Sequence, residues 1–415
     1  MKMFLKLPIL AMLLVASICI HAQQENPVFR QFAEKQSGLF NKAYESRDLE
    51  KYHTLLDEWN AKFSDLTNEE KRKFSNYSIN ALYNLSCTYA LLGKKQQALD
   101  YLEKSIQQGY ANYQHIQADK DLDGLRAEPR YVSMIKPLRE TGDYLYILKK
   151  AGAYNHGDRR PLPAFTYQSA SAPELIALQK AFNLDSVAGS GNELSKVLNL
   201  LHWVHELIPH DGNHENPVVK NAMSMIAVCK KDGRGLNCRG LATVLNEACL
   251  AVGFKSRMVT CLPKDSLGTD PDCHVINMVY LPLAKKWIWA DPTNDAYVMN
   301  EKGEVLGIAE VRRSIIEGRP LILNPTANWN HRQSTTKENY LYHYMAKNLY
   351  ILQCPVSSAY DIETAAVGKT IEYIQLNPLD YFRQTPDKTQ RTGSQSGTTY
   401  IYYNTNNPDT FFQIP

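Results

Sequence analysis

Three residues whose side chains can carry out acyl transfer follow one another along the chain: Cys238, His274 and Asp291. Cys238 stands at a predicted helix start, and the other two stand on two predicted strands that come after it. A thiol, an imidazole and a carboxylate in this context supply a nucleophile, its base and a group that orients the base. We therefore predict that Cys238 attacks a carbonyl carbon while His274 takes the thiol proton and Asp291 fixes the imidazole tautomer.

The sequence around Cys238 predicts a loop followed by a helix. Residues 233–240 are rich in turn formers. Apolar residues then recur at the three-to-four spacing of one helix face, and Gly253 stands where a C-terminal cap belongs. These apolar residues are Leu241, Val244, Leu245, Ala248 and Val252. At the start of this helix, free amides and the positive end of the helix dipole favour the thiolate of Cys238 and could hold an oxyanion.

His274 and Asp291 belong to two segments that predict a hairpin. Residues 274–280 and 286–291 are β-branched and aromatic, and a short stretch containing Pro282 separates them. A register that places Tyr280 opposite Lys285 also places His274 opposite Asp291, so that both lie on one face. A slip by one residue would move them to opposite faces.

These segments together resemble the core motif of the transglutaminase-like superfamily. That motif has a glycine-flanked Cys at a helix start, then Gly-hydrophobic-x-x-Arg-x-Val, a strand with His, and a Trp-rich strand ending in Asp-Pro-Thr. The matching pieces are residues 235–240, residues 253–259, His274 and residues 287–293. The resemblance covers about residues 175–310 and includes the segments 184–189 and 198–205. It implies a papain-like fold, a Cys238-His274-Asp291 site and no required cofactor.

Two further features of this region have both a functional and a structural interpretation. Trp203 is a candidate for the side chain that holds the oxyanion, but it is equally a candidate core aromatic residue. Four histidines also occur close together, and the first two could share a helix face as metal ligands; the four are His202, His205, His210 and His214. No acidic or Cys partner follows at the spacing of a zinc site, and Pro209 and Gly212 interrupt the helix. The interpretation without a metal is therefore favoured, and we predict no metal site.

The N-terminus predicts export from the cytoplasm. Lys2 and Lys6 precede an apolar run that is too short to span a bilayer comfortably, and Ala22 is a small residue at a suitable cleavage position. We expect residues 1–22 to be a signal peptide and the mature protein to be periplasmic or extracellular. Lipidation at Cys19 is a less favoured alternative, because Ile18 stands where a small residue is expected.

Charge and cysteine content limit the possible partners and the redox chemistry. The formal net charge is +3 and falls to +1 when Lys2 and Lys6 are removed, so no basic field for nucleic acid remains. No other stretch is apolar enough to cross a membrane. Seven cysteines follow Cys19, which is an odd number for an oxidising compartment. At least one thiol should stay free, and Cys238 is the natural candidate, while the pairing of the others is left open.

Residues 23–150 predict a helical region that resembles tetratricopeptide repeats. The spacing of large and small residues between Leu82 and Ser105 fits a repeat helix pair with Gly93 in the turn. Apolar residues between Leu49 and Trp59 predict a further amphipathic helix. Aspartates at 119, 121 and 123 could begin a calcium loop, but Arg130 occupies the position of the closing Glu, so calcium is not predicted. Such helices must stack on one another or on the next domain.

The rest of the chain is divided into three segments. Residues 154–173 predict a linker, residues 174–323 the transglutaminase-like domain, and residues 324–415 a β-rich C-terminal extension with aromatic strands at 340–350, 370–376 and 398–403. The predicted fold class is α+β, with a helical repeat-like region, a papain-like domain and this extension.

Two classes of function fit the sequence. The first is an exported thiol enzyme that forms an acyl-enzyme on a peptide or glutamine amide, with hydrolysis favoured over amine crosslinking because water is abundant in an open groove. The second is an inactive transglutaminase-like scaffold whose helical repeats bind a protein partner. The intact set of Cys238, His274 and Asp291 favours the first.

Overall fold

The computed structural model describes residues 26–264, 273–382 and 386–415. The predicted signal peptide and Cys19 lie outside the described residues. The chain divides into two compact units, one formed by residues up to 110 together with 118–134, and the other by residues 111–117 together with 135–415. Across the residues that the structure describes, no helix is long and apolar enough to cross a membrane.

The first unit is helical. Its helices are α1 (Pro27–Glu45), α2 (Leu49–Ser64), α3 (Asn68–Leu91), α4 (Lys95–Gln107) and a 3₁₀-helix (Lys120–Leu125). Helices α3 and α4 approach each other closely at small buried residues. There the Ser86 hydroxyl donates a 2.7 Å hydrogen bond to the carbonyl of Ala98. Asp119 caps the 3₁₀-helix and accepts a hydrogen bond from the Tyr83 hydroxyl at 2.7 Å. The helical content agrees with the expectation for this region, and its assignment to tetratricopeptide repeats stays a prediction.

The second unit contains the remaining elements. Its helices are α5 (Tyr113–Ala118), α6 (Pro129–Gly142, which begins in the first unit), α7 (Tyr144–Lys150), α8 (Pro173–Phe182), α9 (Leu184–Ala188), α10 (Glu193–Leu207), α11 (Ala222–Asp232), α12 (Cys238–Ala251), α13 (Ile308–Glu317), a π-helix (Glu338–Met345), α14 (Ala346–Asn348), α15 (Leu379–Phe382) and α16 (Pro408–Phe411). Its strands are β1 (Thr166–Tyr167), β2 (Ser256–Leu262), β3 (His274–Leu281), β4 (Lys286–Ala290), β5 (Val298–Met299), β6 (Ile322–Leu323), β7 (Asn328–Trp329), β8 (Gln333–Ser334), β9 (Ile351–Pro355), β10 (Ser357–Ser358), β11 (Thr370–Leu376), β12 (Lys388–Thr392) and β13 (Thr399–Thr405).

A seven-stranded mixed sheet organises the second unit. Its strand order is β12-β13-β11-β9-β2-β3-β4, and the β11–β13 pair is parallel while the other neighbours are antiparallel. On one face, α8, α10, α11 and α12 pack against apolar side chains of β3 and β4. On the other face, α7, α13 and the π-helix cover the remaining apolar side chains. The α+β papain-like fold class is therefore confirmed.

The hairpin of β3 and β4 has a register that differs from the predicted one by two residues. Tyr280 lies opposite Trp287 rather than Lys285, and four residues connect the strands. The four-residue connection includes Lys285 with a φ of 51°, a left-handed conformation that the sequence pattern did not reveal. Because side chains alternate between faces, a shift of two residues leaves His274 and Asp291 on the same face. They are diagonal neighbours and not directly opposite each other.

The C-terminal region is joined to the same sheet. Strands β9, β11, β12 and β13 extend the sheet beyond β2, so the predicted extension and the predicted domain share one core. Residues 370–376 form a strand as predicted, and the strand predicted at 398–403 is observed at 399–405. The predicted strand at 340–350 is wrong, because most of these residues form the π-helix and α14. The predicted linker contains β1, which pairs with β10. Helix α7, which falls within the predicted helical region, belongs to the second unit because Tyr144, Ile147 and Leu148 pack in its core.

Candidate active site

Cys238 is the first residue of α12, as predicted. Asn237 is the N-cap, and its side-chain oxygen accepts hydrogen bonds from the amides of Arg239 and Gly240 at 3.1 and 3.2 Å. These two amides are therefore engaged in capping and do not face a substrate. In the first turn of α12, the amide of Cys238 itself is the N–H that can hold a substrate oxygen.

The loop before Cys238 brings a second histidine to the thiol. Leu236 forms a parallel bridge with His210, in which the amide of Leu236 donates to the carbonyl of Pro209 at 3.1 Å. This approach requires Gly235, because a Cβ at that position would lie 2.2 Å from the Pro209 oxygen. The bridge places the His210 side chain within hydrogen-bonding reach of Cys238.

His274 and Asp291 form a buried pair beside the thiol. The Nε2 atom of His274 lies 2.8 Å from the Oδ2 atom of Asp291, and both side chains are almost fully buried. This contact leaves Nδ1 of His274 for Cys238, whose pKa His274 lowers. A carboxylate that only accepts hydrogen bonds places a proton on Nε2, so in the neutral ring Nδ1 is the basic nitrogen.

Three further donors hold the Asp291 carboxylate. The Tyr340 hydroxyl donates to Oδ2 at 2.5 Å, the Asn294 side chain donates to the same oxygen at 3.1 Å, and the amide of Thr293 donates to Oδ1 at 2.9 Å. The indole of Trp289 donates to the Tyr340 oxygen at 3.2 Å. Asp291 is thereby fixed in position and kept ionised, because these donors favour the charged form.

These contacts shift the pKa values of the three groups. Burial would raise the pKa of Cys238, but hydrogen bonds from His210 and His274 and the charge of His274 outweigh it and lower the pKa to about 6. Burial would lower the pKa of His274, but the charge and hydrogen bond of Asp291 raise it to about 10. Burial opposes ionisation of Asp291, whereas His274, Tyr340 and Asn294 lower its pKa. At neutral pH the arrangement favours a thiolate–imidazolium pair.

Trp329 determines which nitrogen of His210 carries a proton. The indole N–H of Trp329 points to Nδ1 of His210 at 3.3 Å. An indole N–H can only donate, so Nδ1 accepts and the proton of a neutral ring lies on Nε2. Asn330 holds the backbone of His210 at both its amide and its carbonyl, at 2.6 and 2.8 Å. In the neutral ring, Nε2–H of His210 is thus the group available as a donor.

A cavity of about 230 Å³ adjoins this cluster. Its lining includes both histidines and is otherwise made of neutral residues, namely Thr293, Asn294, Trp329, Gln333, Ser334, Thr335, Thr336, Asn339, Tyr340 and Tyr344. Apart from the two histidines, the cavity can therefore contact a substrate through uncharged side chains, among them aromatic and amide groups.

The structure brings together the predicted residues Cys238, His274 and Asp291 and separates them from other candidates. Trp203 packs against Phe182 with ring centroids 5.7 Å apart, which fits the core interpretation. His202 binds Asp295 at 3.0 Å, and His214 binds Asp211 at 2.6 Å.

Several residues at the site were missed by sequence reasoning, among them His210 and Tyr340. Their positions depend on contacts between distant segments that no local pattern records. His210 did appear among the clustered histidines, and an unassigned histidine between Pro209 and the loop before Cys238 was the available signal.

Comparison with known families agrees with this geometry. Residues 180–292 match the family model of the transglutaminase-like superfamily. The chain therefore contains a transglutaminase-like domain over these residues. The match includes α12, β2, β3 and β4, and it ends just after Asp291. Tyr340 and Trp329 lie beyond it.

Two individual proteins are similar to shorter parts of the chain. A chloroplast protein from Arabidopsis thaliana is 33% identical over 61 residues, which are 15% of this chain and 18% of that protein. A putative cysteine protease from Cytophaga hutchinsonii is 20% identical in a structural match that covers 31% of this chain and 40% of that chain, with a TM-score of 0.23. The chain thus spans less than half the length of each.

Proposed function

We propose that this protein is an exported thiol enzyme that forms an acyl-enzyme at Cys238 on a peptide or glutamine amide. The observation that carries the proposal is a cysteine at the start of α12 whose pKa is lowered to about 6 by two neighbouring imidazoles, one of which is held by a buried carboxylate at 2.8 Å. Separate general bases are not needed for attack, because the thiolate is present before the substrate arrives.

In the first half of the reaction, the Cys238 thiolate attacks the amide carbon and forms a C–S bond. The carbonyl oxygen becomes negatively charged, and the Cys238 amide and Nε2–H of His210 are donors suited to hold it. The tetrahedral intermediate collapses when the C–N bond breaks. His274 gives its Nδ1 proton to the leaving nitrogen, so the amine departs neutral and a thioester remains.

In the second half, water or an amine releases the acyl group. His274, now neutral, takes a proton from the incoming nucleophile as it attacks the thioester carbon, and the C–S bond breaks to restore the thiolate. Water is the favoured nucleophile because its concentration exceeds that of any amine in an open groove. The reaction direction is therefore hydrolysis of a peptide or amide bond.

The other expected features complete the proposal. Cleavage after Ala22 would deliver the mature protein to the periplasm or the extracellular space. The helical unit would bind a protein partner or present a substrate, because helical repeats offer extended surfaces for such contacts. An inactive scaffold is the alternative function. A folded protein that shows no turnover would distinguish the scaffold from the enzyme.

Active-site variants test the proposal. Cys238→Ala should abolish turnover of amide substrates, His274→Ala should come close to that, and Asp291→Ala should lower kcat less because an orienting group is partly replaceable. The assay is mass spectrometry of a glutamine-containing peptide library incubated with the protein and a primary-amine probe.

The same assay separates the alternatives. Cleavage or deamidation that requires Cys238 supports a hydrolase, and efficient incorporation of the probe with little cleavage would mean that the protein is a transferase. A matched variant, Cys249→Ala, removes a buried cysteine outside the site and should retain turnover. Equal turnover by Cys238→Ala and wild-type protein would reject the proposal.

A further inference from the structure

A second group of residues, away from the thiol, brings metal-ligating atoms together. His205 and Glu206 lie on α10, and His331 lies in the turn between β7 and β8. Each offers one ligand atom, and these atoms all lie within 4.8 Å of one another. Nε2 of His331 is 3.3 Å from Oε1 of Glu206. Two imidazoles and one carboxylate are a ligand set that proteins use for Zn²⁺.

The hydrogen bonds of His205 point to a cation at this place. His205 is 4% exposed, and its Nδ1 lies 3.1 Å from the carbonyl oxygen of Pro292. That oxygen only accepts, so Nδ1 carries the proton of the neutral ring. The other nitrogen, Nε2, then presents its lone pair, and it lies 3.0 Å from Oδ1 of Asn328.

Asn328 cannot turn its amide to relieve this contact. Its Oδ1 accepts a hydrogen bond from the amide of His331 at 2.8 Å, and its Nδ2 donates to the carbonyl of Thr326 at 3.0 Å. A backbone amide only donates and a carbonyl only accepts, so the orientation of the side chain is fixed. The lone pair of His205 Nε2 and Oδ1 of Asn328, both acceptors, therefore face each other beside a buried side chain. This contact is unfavourable unless a cation or a proton lies between them.

We infer that His205, Glu206 and His331 form a binding site for a divalent transition-metal ion of the zinc type, with Oδ1 of Asn328 as a further oxygen ligand. The contact from Nδ1–H of His205 to a backbone carbonyl is the arrangement that orients metal-binding histidines in proteins. The carboxylate of Glu206 would offset part of the positive charge of the ion.

Small movements are enough to complete the coordination. A tetrahedral ion with bonds of about 2.0–2.2 Å holds its ligand atoms roughly 3.4 Å apart. The side chains of Glu206 and His331 are about half exposed, at 47% and 53%, and can rotate toward the buried His205. His331 lies in the tight turn of this hairpin, where Asn330 and His331 adopt positive φ values of 52° and 55°.

The ion would connect α10 to the hairpin of β7 and β8. That hairpin also carries Trp329, which orients His210, and Asn330, which holds the backbone of His210. Metal binding would therefore stabilise the hairpin that positions His210 beside the thiol. This inference concerns binding at α10 and does not depend on the proposed enzymatic activity.

Calorimetric titration with Zn²⁺ tests the site. The experiment uses purified, chelator-treated protein that carries Cys238→Ala, since the thiol would otherwise bind the metal itself. His331→Ala and Glu206→Gln are introduced in that background, and both positions are exposed, so folding should be preserved. His214→Ala is the matched control, because it removes an exposed histidine that binds Asp211 and belongs to neither cluster.

We expect the background protein and the His214→Ala control to bind one equivalent of Zn²⁺ that becomes at least about tenfold weaker in His331→Ala and in Glu206→Gln. Zn²⁺ should also raise the Tm of the background protein and not that of His331→Ala. Equal binding by the background protein and by His331→Ala would overturn the inference. The absence of any Zn²⁺ binding would also overturn it, because a second proton on the His205 ring would then satisfy the Pro292 carbonyl and Oδ1 of Asn328.

Discussion

A change of pH from 5 to 8 should convert Cys238 from a weak to a strong nucleophile, with a midpoint near pH 6. The pKa of this thiol is lowered to about 6 by hydrogen bonds from His210 and His274 that outweigh burial. Below pH 6 the sulfur carries its proton, and above pH 6 it is ionised. Because the pKa of His274 is raised to about 10, His274 remains an acid up to that pH. Turnover that needs the Cys238 thiolate and the protonated His274 together should therefore extend from about pH 6 to about pH 10.

The size of the effect follows from the ionised fraction. At pH 6 about half of Cys238 is thiolate, whereas roughly 0.3% of a cysteine with a pKa of about 8.5 is ionised. The gain in thiolate is roughly 150-fold. A thiolate of lower pKa is intrinsically less nucleophilic, and this lowers the expected gain in rate by roughly 10- to 20-fold. We expect Cys238 to be alkylated roughly tenfold faster than a small free thiol at pH 6.

The assay is alkylation by iodoacetamide followed by peptide mapping, with second-order rates measured at several pH values between 5 and 8. The buried Cys354 is an internal control in the same digest, because burial raises its pKa to about 12 and it should stay unmodified. A small free thiol in parallel tubes sets the reference rate. A midpoint near pH 8.5 for Cys238, or a rate at pH 6 no faster than that of the free thiol, would refute the reasoning.

Two further predictions concern the donor His210 and the buried Arg257. His210→Ala should raise the pKa of Cys238 because a donor to the thiolate is lost, and Trp329→Phe should raise it less because only the tautomer of His210 is released; an unchanged alkylation midpoint in His210→Ala would contradict this role. Arg257→Lys should destabilise the protein by about 2–4 kcal/mol, since a buried guanidinium loses several hydrogen bonds, and thermal denaturation would measure it. Arg319→Lys, an exposed control that pairs with Glu317, should leave the Tm almost unchanged.

Arg257 illustrates a residue whose role the motif identified only in part. It lies within the family motif and is 2% exposed. Its guanidinium donates to the Tyr167 hydroxyl at 2.6 Å and to the carbonyls of Phe411 and Gln413 at 2.8 and 3.0 Å. It also stacks on the ring of Phe165 at 3.6 Å. Motif matching located the residue, but its partners come from segments that precede and follow the motif.

The sequence predicted the nucleophile and its partners because their positions depend on local patterns. Turn formers before an amphipathic run predict where α12 begins, and Cys238 stands at that point. The pairing of His274 with Asp291 survived an error of two residues in the hairpin register, because side chains on a strand alternate with a period of two. An error of one residue would have separated them.

Other parts of the site could not be predicted because they depend on tertiary packing. Tyr340 lies in an aromatic stretch with strand propensity, yet that stretch forms a π-helix that directs the tyrosine hydroxyl to Asp291. Packing thus overrides local propensity at this position. His210 reaches the thiol through a single bridge to Leu236, and one bridge leaves no periodic pattern in the sequence.

The position of β9 in the sheet determines how the chain can be divided. This late strand lies between β2 and β11, and Thr260 on β2 pairs with Gln353 on β9. A fragment that stops at residue 292 would leave β2 as an open edge, which invites association with other chains. Closing the sheet also requires contacts between distant parts of the chain, and such topologies fold slowly. The segment that matches the family model, residues 180–292, therefore leaves out the strand that covers the β2 edge of the sheet.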